Sequence, residues 1–205
     1  LAGENMQESV FHILDDFILD EIDLQSNAGN VDYWDWDHLK QRFSSHIMVN
    51  ATLEKVYEDM GKTDLAGEDI GNWILDQAKS VYKARESLVP IDVIREFERF
   101  VILRTLDEKW KDHLYAMDQL REGINLRAYG QKNPLLEYKS EGFKMFQEMM
   151  ADMNSVTIQR LFRTQIQGME REPSQSNSFN VRNVKTSHQE TTGMGFQGQT
   201  QPAEQ

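Results

Sequence analysis

The chain has 205 residues, enough for one or two small domains with a real core. Its 22 basic and 34 acidic residues leave a formal charge of −12, which argues against a general nucleic-acid binder. There is no cysteine, so disulfides and cysteine-ligated zinc or redox centres are excluded, and a cytosolic setting is compatible.

No stretch approaches the roughly 20 continuous apolar residues of a membrane span. Residues 1–20 carry five acidic groups and no basic run ahead of an apolar core, so no signal peptide is read there. The first residue is Leu rather than Met, so the chain reads as a fragment or a processed product.

Glu4 to Asp23 reads as an amphipathic helix, with Met6, Val10, Phe11, Ile13, Leu14, Phe17, Ile18 and Ile22 on one face. Asp15, Asp16, Asp20, Glu21 and Asp23 crowd the other side. They read as a solvated acidic face rather than a cation site, because no turn-rich loop of alternating oxygen ligands is present. Residues 26–30 are a loop by composition. Trp34 and Trp36 either anchor a small core or stack on a ligand, and Asp37 is placed to cap a helix starting near His38.

Ala51 to Met60 is a short helix. The Gly61-Lys62-Thr63 that follows is not a phosphate-binding loop: five positions ahead of the Gly-Lys pair stands Val56, not glycine, and no buried strand precedes it. Asp69 to Ser87 reads as another helix, which Pro90 ends.

Two long amphipathic segments occupy Ile91 to Gln167. The first carries apolar residues at Ile94, Phe97, Val101, Leu106, Trp110, Leu114 and Met117. The second carries Phe143, Phe146, Met149, Met150, Met153, Val156 and Leu161. Steps of mostly three and four make each a helical stripe. The stripe residues Leu106, Trp110, Leu114, Met117 and Phe146 are expected to form the buried core of the pair. Asn133-Pro134 is a good helix start, and a polar connector, Arg121 to Asn133, makes the helices antiparallel neighbours. Met145, Met149, Met150 and Met153 are either a packed seam or an adaptable binding surface.

The expected tip spans residues 123–133. Arg121, Arg127, Lys132 and Lys139 make it locally basic, and Leu126 and Tyr129 add apolar and amphipathic contact. Tyr129 either faces a partner or folds back on the hairpin. After Gln167 the Ser/Gln/Gly/Thr-rich composition predicts a disordered tail over 168–205. The five histidines are scattered without HExxH spacing, and no serine lies in a Gly-x-Ser-x-Gly context, so neither a metal site nor a catalytic constellation is read.

The run Thr105-Leu106-Asp107-Glu108-Lys109-Trp110-Lys111-Asp112-His113-Leu114 leads into Ala116-Met117-Asp118-Gln119-Leu120-Arg121-Glu122-Gly123-Ile124, then Leu126-Arg127-Ala128-Tyr129 and Glu137-Tyr138. From about Glu96 to Phe146 this closely resembles the C-terminal helical region of the SecA family of ATP-driven protein-export motors. The resemblance implies an all-α chain: a helical wing over 1–89, a two-helix finger of the helical scaffold over 90–167, and a linker over 168–205. It implies that Tyr129, with Arg127, Leu126, Lys132 and Arg121, contacts unfolded preproteins at the SecY/SecE/SecG channel. It implies that the first finger helix packs on motor domains that hold ATP and Mg elsewhere in the protein, leaving this chain no cofactor and no catalysis. It places the whole protein in the cytoplasm, peripheral to the inner face of the plasma membrane. The cysteine-rich zinc segment that ends many family members is absent. The alternative reading is a free-standing helical interaction or adaptor module.

Overall fold

The computed structural model describes residues 6–26, 29–61, 64–127 and 133–166. They form six α-helices, α1 Met6–Ser26, α2 Trp36–Ile47, α3 Leu53–Met60, α4 Gly67–Glu86, α5 Ile91–Arg127 and α6 Pro134–Arg163. A 3-10 turn covers Val31–Tyr33, and no strand occurs among the described residues. The all-α expectation holds. The expected tail at 168–205 lies outside the described residues.

Local chemistry explains the boundaries. Asp35 caps α2, its side chain accepting from the His38 N–H at 2.9 Å. The expected cap, Asp37, sits instead within the first turn, where its charge suits the positive end of the helix. Both aspartates were available, and the chain enters the helix one residue after Asp35, which follows the 3-10 turn. Thr52 caps α3 and Gly61 closes it in the left-handed region, at φ 64°, donating to Tyr57 O. The glycine of Gly-Lys-Thr is thus a helix terminator. α4 starts two residues before Asp69, because the Asp69 carboxylate reaches back to the Ala66 N–H at 3.0 Å.

Trp34 is buried and lies against Gly67, where a Cβ would sit 3.3 Å from its ring. Trp36 stacks beside it at 6.0 Å and donates to Val31 O at 2.8 Å. The pair is a core anchor. α1 buries Val10, Leu14, Phe17, Ile18 and Ile22, with Asp20 and Asp23 on its exposed side.

α5 begins directly after Pro90, whose carbonyl accepts from the Val93 and Ile94 N–H groups. At 37 residues it is about 56 Å long at 1.5 Å per residue. It runs on through residues 121–127, which the sequence reading placed in the connector, so the break between the helices is shorter than expected. No proline or strong breaker interrupts Arg121 to Arg127, and Gly123 is tolerated inside the helix at modest cost. At the start of α6 the Asn133 side chain accepts from the Leu135 N–H at 3.0 Å, with Pro134 at the first helical position.

Cross-contacts make the two helices antiparallel. Arg160 donates to Thr105 at 3.0 Å, Lys109 pairs with Asp152 at 2.7 Å, the rings of His113 and Phe146 lie 5.9 Å apart, and Met117 packs over Gly142. α1 packs against α4, α5 and α6, and α2 packs against α6. The core is therefore shared: Val101 from α5 and Ile158, Leu161 and Phe162 from α6 join the apolar faces of α1, α2 and α4.

Candidate interaction surface of the hairpin

The hairpin is broadly buried only at its root, and farther out burial is confined to single positions such as Met149 and Ile124. Ile94 and Val101 are inside, and Val101 shares a core cluster with Leu161 and Phe162 of α6. Beyond Thr105 the stripe changes character. Leu106 is 41% exposed, Trp110 43%, Leu114 49% and Phe146 40%. The expected finger core of Leu106, Trp110, Leu114 and Phe146 is thus corrected to a solvent-facing apolar surface. Of that group only Met117 packs inward, half-buried over Gly142. The reason is geometric. A two-helix pair buries one narrow seam on each helix, and a broader stripe needs a third element to cover it. The seam itself is filled by Met149, which is buried, and by half-buried Met145 and Met153, while Met150 faces outward. Phe100 and Leu103 continue the exposed surface towards the root, and Phe143 extends it on α6.

Of the expected tip residues, Arg121 is exposed and pairs with Asp118 at 3.2 Å. An exposed pair of this kind contributes little to stability. Leu126 and Arg127 lie in the last turn of α5. Tyr129 and Lys132 lie outside the described residues. Between α1 and α6 runs a surface groove of about 900 Å³, with Asp16, Asp20 and Asp23 on one wall and Phe143, Phe146 and Met150 on the other. Burial and the nearby charges of Asp16, Asp23 and Glu21 push the Asp20 carboxyl up from its ordinary range.

Two polar clusters in the core were not anticipated. In the first, Arg42 reaches Glu21 at 2.5 Å, Ser155 at 3.0 Å and His46 Nε2 at 2.9 Å, joining α1, α2 and α6. Arginine can only donate, so Nε2 accepts and the imidazole proton sits on Nδ1, against Ser45 Oγ and Arg42 O. Burial and then the Arg42 charge lower the His46 pKa from 6.5. Folded His46 is therefore neutral where unfolded His46 would take a proton, so its stabilising contribution is fully present above about pH 6.5 and is lost as pH falls towards the lowered value. Urea midpoints measured between pH 7.5 and 5 should fall with acidification, and His46→Gln should remove part of that fall. Identical pH profiles for the two proteins would contradict the assignment.

In the second cluster Tyr82 donates to Glu98 at 2.5 Å, and Arg95 bridges Glu98 and Glu86. Burial and the Glu98 hydrogen bond push the Tyr82 phenol well above its ordinary pKa. A sequence signal for this cluster existed. Ile94, Glu98, Val101 and Thr105 follow one another in steps of four, three and four, so Glu98 and Thr105 interrupt an apolar face.

No described helix is long and apolar enough to cross a membrane. The family model of the SecA Wing and Scaffold domain matches residues 1–165. The protein translocase subunit SecA of Streptomyces griseus subsp. griseus is 41% identical over 170 residues, covering 82% of this chain and 18% of that protein. The SecA of Streptomyces coelicolor is 39% identical over 168 residues, 82% of this chain and 18% of that protein. The SecA of Desulforudis audaxviator is 38% identical over 171 residues, 81% of this chain and 19% of that protein. The chain thus spans less than a fifth of the length of these relatives. With the long hairpin, the helices packed at its root and a match over 165 residues, the chain belongs to the SecA family and carries its wing and scaffold segment.

Proposed function

We propose that this chain is the part of a SecA preprotein translocase that carries motor movement to the translocating polypeptide. In this reading residues 1–89 are the wing and 90–167 the finger. The exposed α5 stripe docks on motor domains that bind ATP and Mg, outside this chain. The tip, with Tyr129, Arg127, Leu126, Lys132 and Arg121, contacts unfolded preprotein at the mouth of the SecY/SecE/SecG channel. The intact protein works at the cytoplasmic face of the bacterial plasma membrane. The observation that carries this is the exposed run of Leu106, Trp110, Leu114 and Phe146 on a chain that spans under a fifth of its relatives. Large exposed apolar side chains at helical spacing of this kind mark an interface. The groove with acidic and aromatic walls suits basic and apolar stretches of an unfolded chain.

The test uses Trp110. A fully buried tryptophan costs about 3–5 kcal/mol on truncation, and one exposed to this degree should cost about 1–2 kcal/mol. Trp110→Ala should therefore leave the isolated chain folded, with a modest drop in urea midpoint. In the intact translocase the same change should depress preprotein-stimulated ATP hydrolysis and transport together. Full stimulation in the intact variant would sink the docking role of the stripe.

A further inference from the structure

The polar groups around the elbow between α4 and α5 do something that apolar packing there does not. Tyr82, on the last turns of α4, donates to Glu98 of α5 at 2.5 Å. Arg95 of α5 donates to the same carboxylate at 2.5 Å and, through its other terminal nitrogen, to Glu86 at the end of α4. Gln7 of α1 donates to Glu86 at 2.8 Å. The neighbouring α4 residue, Arg85, turns the other way: its guanidinium donates to the carbonyls of Phe162 and Thr164, where α6 ends. One turn of α4 thus touches the first turns of α5 and the last turn of α6.

We propose that the last turns of α4 form a two-armed clamp that sets the bearing of the hairpin, Tyr82 and Glu86 holding the root of α5 through Glu98 and Arg95, and Arg85 holding the end of α6. Apolar burial is non-directional and would tolerate a range of angles between the first four helices and the hairpin. Hydrogen bonds to fixed carboxylates and carbonyls select one of them. The cluster is also poorly suited to a purely stabilising role. Glu98 is 0% exposed and its Oε2 has no partner among the described residues, an arrangement that well-packed apolar side chains would match or better in stability. What the apolar substitute would lose is orientation.

Orientation matters here because of leverage. Glu122 lies 27 residues beyond Arg95 on one continuous helix, about 40 Å away at 1.5 Å per residue, so a rotation of about 5° at the root displaces it by about 3–4 Å. The four-residue elbow, 87–90, ends in Pro90, which leaves little slack of its own. How the hairpin is aimed is independent of what its tip contacts.

The chain contains no cysteine, so spin labels can be attached at Glu58→Cys on α3 and Glu122→Cys on α5 without further engineering. Pulsed dipolar spectroscopy on the full chain should give one narrow distance peak. Combining Tyr82→Phe with Arg85→Gln should shift or broaden that peak by about 3–4 Å or more while far-UV helicity is retained. If the double variant loses helicity, Tyr82→Phe alone serves, since it keeps the ring against Phe11 and Phe162 and removes only the hydroxyl. A lower unfolding midpoint with an unchanged distance peak would overturn the proposal, because the cluster would then stabilise the fold without aiming the hairpin.

Discussion

Phe162→Ala should lower the stability of the folded chain by about 3–5 kcal/mol, the range expected for truncating a fully buried aromatic side chain. Phe162 is 1% exposed and sits one residue before the end of α6. Its ring lies 5.4 Å from that of Tyr82, and it belongs to the core shared with α1, α2 and α4. Truncation would leave a cavity where the end of α6 meets Tyr82 of α4 and the shared core. The elements around it are each held by several further contacts, so little collapse is available to fill it. A domain of this size is stable by roughly 5–15 kcal/mol, so the loss is a large share of the total. Urea unfolding followed by far-UV circular dichroism reads the change directly. Leu106→Ala is the control: at 41% exposure it should cost only about 1 kcal/mol. Similar losses for the two variants would mean that the core does not extend along α6 as described.

Tyr129→Ala should reduce preprotein transport by about tenfold in the intact translocase, equivalent to about 1.4 kcal/mol of lost contact, while changing fold stability by less than about 0.5 kcal/mol. The motivation is its place in the run joining α5 and α6, between Arg127 and Lys132, and its match to the tip position implied by the family resemblance. An aromatic ring with a hydroxyl suits an unfolded substrate of any sequence, touching apolar side chains with its face and backbone groups with its edge. Tyr129→Phe and Tyr129→Trp should be much milder, because the ring carries most of that contact. A vesicle translocation assay paired with thermal unfolding of each variant separates the cases. If stability falls in parallel with transport, Tyr129 is a structural residue and the tip role fails.

The existence and order of the helices were legible because each carries its own period and punctuation. Asn133-Pro134 announces α6 through groups within two residues of one another. Pro90 separates α4 from α5 by the same local chemistry. Boundaries that depend on competition were less legible. Asp35 and Asp37 are both good caps by residue type, and the helix starts directly after Asp35. The distal end of α5 is not legible in the sequence because Arg121 to Arg127 is largely polar, and polarity alone does not break a helix.

Family membership, too, was legible, since it rests on a close resemblance running from about Glu96 to Phe146, and the match over residues 1–165 agrees with it. Burial was not. Leu106, Trp110 and Leu114 have the spacing of a core stripe, and periodicity reports only that a helix has an apolar face. Whether that face is covered depends on what lies beside it. Near the root α1 packs over α5 and Tyr82 of α4 reaches it, while farther out α5 has α6 on one side and water on the other. The polar clusters of Arg42 and Glu98 join residues up to 113 positions apart, a proximity that no local pattern encodes. The sequence by itself determined the helices, the start of α6 and the family, because those follow from near neighbours and a nearly contiguous motif. Only the tertiary structure decided which apolar faces are core, which are open surface, and how one turn of α4 reaches both ends of the hairpin, because those depend on distant segments meeting in space.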